Sequence, residues 1–260
     1  MSHPKPYSLL ILVPIAFLPA AGCHVSPTES RAQLRPDSGS QKKAIMSASH
    51  PSIKLLPVDE GSKDASFENF RNQLLEAVRN HDTNFLAGVL DPHIANGYDI
   101  EEGTREFKQR WRVEDPQSPV WDVLSTILTG GGSFSEHNGQ MEFCGPYVVS
   151  QWSNVVRQLP PGTDTLDYVA ITGKDVAVRR EAHSSAPIVT TLSYDVVKSI
   201  PNSQVLDQSM RDASSWIKIK TPTGQEGFVS DNYVQGPMDY GACFRRANGT
   251  WVISELAARE

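Results

Sequence analysis

The chain of 260 residues is poor in cysteine, with three, and in aromatic side chains, which make up 8% of it. No Lys/Arg-dense stretch with interleaved aromatics occurs, and the formal charge is −6, so the phosphate-neutralising surface that nucleic-acid binding needs is missing. Gly-x-Ser-x-Gly, His-Glu-x-x-His and Walker-type patterns are absent. His81, His93 and His137 do not stand at metal-ligand spacing, and Gly130-Gly131-Gly132 has no following Lys-Ser/Thr to cradle phosphate. Catalysis is left with scattered carboxylates such as Glu101, Glu102 and Asp122, a pattern that ordinarily marks solvated helix faces. The expectation is a protein that is not an enzyme and needs neither cofactor nor metal.

What is present begins with Leu9-Leu10-Ile11-Leu12-Val13-Pro14-Ile15-Ala16-Phe17-Leu18-Pro19, preceded by Lys5. This apolar run, broken by two prolines, is shorter than the roughly 20 residues that span a bilayer, and it reads as an export signal. It leads into Ala20-Ala21-Gly22-Cys23, which resembles the lipobox of bacterial lipoproteins. That resemblance implies a signal peptide over residues 1–22, cleavage before Cys23 and lipidation of its sulfur. The protein would then be exported and lipid-anchored to the cell envelope, facing the periplasm in a Gram-negative organism. Residues 23–63 are rich in Ser, Pro, Gln and Lys with little apolar periodicity, and they read as a disordered tether.

Two cysteines remain once Cys23 is committed to lipid. In an oxidising compartment Cys144 and Cys243 form an even pair, and a bridge between them would close a loop worth on the order of 4 to 5 kcal/mol in the chain-entropy model. Two separately buried thiols are the competing reading.

Residues 64–158 read as a helical domain ending in a strand-like segment. Ser66 is a plausible N-cap for a stripe of Phe67, Phe70, Leu74, Leu75 and Val78. Asp82 caps a second helix that Asp91-Pro92 should stop, Thr104 starts a third, and Ser118-Pro119 starts a fourth carrying Trp121, Leu124, Ile127 and Leu128. Trp111 and Trp121 belong to these stripes and read as core. Phe143-Cys144-Gly145-Pro146-Tyr147-Val148-Val149 has strand texture, and Leu159-Pro160-Pro161-Gly162-Thr163 marks a domain junction.

Residues 164–260 read as β throughout. Val169-Ala170-Ile171, Val176 with Val178, Ile188 to Leu192, Val196 to Ile200, Trp216-Ile217-Lys218-Ile219 and Gly227-Phe228-Val229 are separated by turn chemistry. In this order, ending in Tyr233-Val234, they resemble a bacterial SH3-type (SH3b) domain. The resemblance implies a small bent β-barrel with a groove where Trp216, Phe228 and Tyr233 are candidate ligand contacts. For Trp216 and Tyr233, core and strand-end packing is at least an equal alternative, and Trp216, which begins the alternating Trp216-Ile217-Lys218-Ile219 strand, is expected to serve the barrel more than the ligand. Asn248-Gly249 between alternating strands signals a C-terminal hairpin, which either extends the barrel or returns to the segment around Cys144.

The fold class expected is therefore multidomain α+β, a helical domain followed by an SH3-like β-barrel with an extra hairpin. Its expected role is to bind a peptidoglycan peptide or an envelope protein without catalysing a reaction, or, alternatively, to take part in cell-wall hydrolysis. The first prediction concerns the anchor: metabolic labelling with a fatty-acid analogue should mark the wild type and miss Cys23→Ala, and labelling that survives the substitution defeats the lipoprotein reading.

Overall fold

Apolar side chains at helical spacing build the first half of the body. In α1 (Ala65–Arg79), Phe67, Phe70, Leu74 and Val78 line one face and are buried. The cap is Asp64 rather than Ser66: its carboxylate accepts the N–H groups of Ser66 and Phe67 at 2.8 and 3.1 Å, and its charge suits the positive end of a helix. Asp82 caps α2 (Thr83–Gly88) through the Phe85 N–H. This helix ends before Asp91-Pro92, because Leu90–Ala95 is a strand, β1, and Pro92 is tolerated there since β1 lies at a sheet edge. After α3 (Thr104–Trp111) comes α4 (Val120–Thr129), whose first N–H is accepted by Ser118 Oγ. Trp111 and Trp121 are buried in the core.

The computed structural model describes residues 52–97, 102–137, 139–200, 205–206 and 215–258. The signal segment, Cys23 and the first part of the expected tether lie outside the described residues. Among the described residues no helix is long and apolar enough to cross a membrane.

Beyond α4 come β2 (Ser133–His137) and β3 (Gln140–Gly145), followed by α5 (Tyr147–Val156). The strand texture of Tyr147-Val148-Val149 is thus misleading. All three side chains are buried on a helix, and tertiary burial outweighs the weak helix propensity of β-branched residues. The next segment holds β4 (Tyr168–Ile171), β5 (Val176–Arg179), β6 (Ile188–Leu192), β7 (Val196–Ser199), β8 (Val205–Leu206), β9 (Ser215–Lys220), β10 (Glu226–Ser230) and β11 (Val234–Gln235). They pair in the order β11-β4-β7-β9-β10-β5-β6, with β8 on β9. Each adjacent pair is antiparallel, and the ladder is an open path, so the closed barrel expected from the sequence does not form among the described residues.

The final hairpin, β12 (Tyr240–Ala247) and β13 (Thr250–Ala258), turns at Asn248 and Gly249 with φ of 51° and 85°, the left-handed pair that such a turn requires. It returns to the first half of the chain and leaves the second sheet alone. The first sheet has the order β1-β13-β12-β3-β2, so the hairpin supplies its central strands. Residues 64–158 are consequently no separate helical domain. They form a mixed α+β lobe that the C-terminal hairpin completes. Cys243 pairs with Cys144 across β12 and β3, and their sulfurs are bonded at 2.08 Å. Asp91, 2% exposed, is held between the His93 N–H and Arg245, whose Nη2 lies 2.6 Å away and ties β1 to β12.

Residues 52–63, expected to belong to the tether, are a strap built into the body. Ser52 Oγ and Lys54 Nζ reach the carboxylate of Asp195, which is 4% exposed, at 2.7 and 2.8 Å. The backbone binds Tyr194 and Val196 on one side, and Gly132 on the other through Val58 and Glu60. Gly131 makes this approach feasible, because its φ is 68° and a Cβ there would stand 2.4 Å from the Val58 carbonyl oxygen. The expected junction at Leu159 is likewise bridged: Tyr147, Trp152 and Leu159 pack in one buried cluster with Leu55 of the strap and Ala170 and Val196 of the second sheet.

The disulfide closes a loop of 99 residues that contains the whole second sheet. Its reduction should lower unfolding stability by roughly 2 to 5 kcal/mol. Denaturant titration of the protein with and without reductant measures this, and coincident curves would show that β12 and β3 need no covalent tie.

Candidate interlobe cleft

Between the lobes lies a cleft of about 940 Å³. One wall comes from the strap, at Pro57, Val58 and Asp59, and from α4, at Asp122, Thr126 and Ile127. The other is formed by Thr172 after β4, the tight turn Asp231–Tyr233 with Asp231 and Asn232, and β11. Asp239 and Tyr240, where the chain passes from the second sheet into β12, and Tyr147 at the start of α5 complete the lining. The apolar face of α4 turns into the core, which leaves Asp122 and Thr126 on its exposed side toward the cleft.

Four aspartates line this space, and among the described residues no lysine or arginine does. Asp59 is neutralised from outside: Arg71 Nη1 lies 2.7 Å from its carboxylate. Burial works against ionising Asp59, but the Arg71 hydrogen bond, the Gly61 N–H and the Arg71 charge together hold its pKa below the usual carboxylate value. The other three have no ion pair among the described residues. Asp231 accepts the Ser215 hydroxyl, and Asp239 accepts the Gly236 N–H at 2.9 Å. Asp239 is exposed as a residue. Neighbouring atoms nevertheless remove enough water from its carboxyl to push the pKa up, against the opposing effect of that N–H.

Tyr147 is 5% exposed, and its buried hydroxyl has no hydrogen-bond partner. Desolvation, with a contribution from Tyr194, pushes its pKa up to about 12, so it remains a neutral hydroxyl at any ordinary pH.

The residues singled out by sequence fall elsewhere. Trp216 is 4% exposed on β9 and is a core residue, unavailable as a groove contact. Phe228 is half-buried mid-strand on β10, opposite Lys218 and Arg179, on the face away from the buried Val229. Tyr233 is 50% exposed beside Gly173. The three do not line the cleft, although the Tyr233 backbone adjoins it by accepting the Thr172 N–H. Of the carboxylates noted in the sequence, Asp122 does reach it, Glu102 lies elsewhere and Glu101 is outside the described residues. Asp231, Asp239 and Tyr147 carried no motif, since segments far apart in the chain bring them together. Glu142, Cys144 and Cys243 gather metal-type ligand atoms, but the disulfide consumes both thiols.

No family model matches this chain, and no curated protein does. Among solved structures, a designed NTF2-like protein aligns over 73% of this chain and 93% of its own at 12% identity. Its TM-score of 0.23 is too low to carry an argument about fold or function.

The raised pKa of Asp239 fixes a sign. The folded state penalises its ionised form, so Asp239→Asn should be the more stable protein wherever the wild-type carboxyl is charged. That advantage should be absent below the unfolded carboxyl pKa, near 3.8, and should grow as the pH rises through the folded value. Thermal unfolding across this range tests it, and a variant less stable than wild type at neutral pH would contradict the assignment.

Proposed function

We propose that this protein is a noncatalytic lipoprotein of the bacterial cell envelope, anchored through Cys23, whose body binds a peptidoglycan peptide in the interlobe cleft. The cleft carries the reading. Its 940 Å³ lies within the roughly 300–1,000 Å³ typical of small-ligand sites, and polar groups converge on it from both lobes. The lining offers carboxylates, hydroxyls, amides and aromatic rings, which suit recognition of a peptide backbone and its charged groups. The SH3-type reading of the second sheet is part of this proposal, supported by the strand sequence from Tyr168 to Gln235 and by the exposed Tyr233.

One observation favours a second reading, cell-wall hydrolysis. Asp239, whose pKa is raised by desolvation, shares the cleft with two further carboxylates, Asp122 and Asp231, and a carboxyl of raised pKa is what the general acid of a glycosidase requires. Two assays on the full chain, purified in mild detergent, separate the possibilities. Binding predicts co-sedimentation with isolated peptidoglycan and no fall in the turbidity of a wall suspension. Clearing of the suspension that is lost in Asp239→Asn would establish the hydrolase instead, and absence of co-sedimentation would defeat the binding proposal.

A further inference from the structure

Strand register across the second sheet assembles a row of side chains that no single segment of the sequence contains. Pairing of β6, β5, β10 and β9 sets Ile188 opposite Arg179, Arg179 opposite Phe228, and Phe228 opposite Lys218. Directly paired residues share a face, here the one turned away from the buried Val178, Val229 and Ile219. Two residues along β9, Lys220 continues the same face and is paired with Lys198 on β7. Ile188 is 56% exposed, Phe228 is half-buried, and Lys198 and Lys220 are exposed.

This face is positive on a chain whose formal charge is −6. Lys198 meets Asp167 at 3.0 Å and Lys218 meets Glu226 at 2.7 Å, so among the described residues four cations stand against two carboxylates. The strap also joins the second sheet here. Ser52 Oγ bonds Asp195, and the Ile53 carbonyl accepts the Val196 N–H, at the start of the strand that carries Lys198. From there the strap runs to the first lobe, so its end nearer the expected anchor at Cys23 is the end beside this face.

We infer that this face of the second sheet docks on an anionic phospholipid bilayer, with Ile188 and the neighbouring Phe228 at the acyl boundary and Arg179, Lys198, Lys218 and Lys220 toward the headgroup phosphates. The inference rests on the envelope part of the reading above and is independent of the cleft and its ligand. A bilayer answers both kinds of side chain: its surface charge attracts the basic residues, and its interface takes Ile188 out of water. A soluble polyanion would answer the cations alone, two of which already have carboxylate partners, and would leave Ile188 exposed. An anchor raises the concentration of the body at the membrane, so a face too weak to bind alone is enough to fix its orientation.

The test reconstitutes the detergent-purified full chain into phosphatidylcholine vesicles with and without phosphatidylglycerol, and reads the acetylation rate of each lysine by mass spectrometry. Lys198, Lys218 and Lys220 should react at least about fivefold more slowly on the anionic vesicles, the factor that one basic residue gains at such a surface. Lys63 and Lys108, elsewhere on the body, should not differ. Salt at about 1 M, which screens charge beyond roughly 3 Å, should remove the protection. Ile188→Ser should reduce it several-fold with the unfolding midpoint unchanged. Equal acetylation on the two kinds of vesicle overturns the docking. Protection that soluble polyphosphate reproduces and Ile188→Ser leaves intact overturns it too, and marks a polyanion site instead. Fatty-acid labelling that survives Cys23→Ala defeats the anchor alone; the footprint still decides the face, because the apolar residues 9–19 also retain the chain on vesicles. A chain that floats with neither vesicle loses both readings.

Discussion

The first lobe depends on a pairing that the chain makes last. β12 and β13 are the second and third strands of a five-stranded sheet whose other members, β1, β3 and β2, were laid down a hundred residues earlier. Without the hairpin, β1 would have no neighbour, and β2 and β3 would form an isolated pair, which is marginal in water. The Cys144–Cys243 bond fastens this closure between the adjacent strands β3 and β12, and the Asp91–Arg245 ion pair reaches across β13 from β1 to β12. The second sheet therefore sits within a long excursion between α5 and β12, with both its ends returned to the same sheet.

That constraint makes the cleft a structural feature of the body. The excursion leaves the first lobe after α5 and comes back through Asp239 and Tyr240, so the second sheet is held by two connections. The strap adds a third, binding Asp195 on one lobe and Gly132 on the other. The buried cluster around Tyr147, Leu159, Leu55 and Val196 fills one part of the seam with apolar atoms. The rest of the seam is the cleft, where Asp122, Asp231 and Asp239 stand among threonine, asparagine, glutamine and tyrosine side chains and have no ion pair among the described residues. One end of the seam excludes water, and the other is polar.

Local chemistry was legible in the sequence wherever one residue type has one physical use. Asn248-Gly249 announced the hairpin, the Phe67-to-Val78 stripe announced α1, and Asp82 announced its cap. The short strands of the second sheet were visible because turn residues punctuate them. Errors occurred where tertiary context decides. Tyr147-Val148-Val149 has the composition of a strand and is a helix because its whole face is buried, and Pro92 stopped nothing because β1 needs no donor on its outer side. Residues 52–63 have the composition of a tether, but a few well-placed contacts, Leu55 above all, bind them. Its alternating strand leaned Trp216 toward the core rather than a groove, and its exposure is 4%. The cleft had no sequence signature, since Asp122, Asp231, Asp239 and Tyr147 are neighbours only after the lobes close.

The lobes and strap unfold as one unit, which is what holds the cleft in shape. Native-state hydrogen exchange measures it amide by amide. The N–H groups of Gly132, Val196 and Ile253, bonded to Val58, Ile53 and Val89 respectively, sit at the strap's two anchor points and in the first sheet. All three should exchange through the same global opening, with one free energy and one denaturant dependence. If Val196 and the second sheet open at a distinctly lower free energy while Ile253 stays protected, the lobes are independent and the cleft between them is not a preformed site.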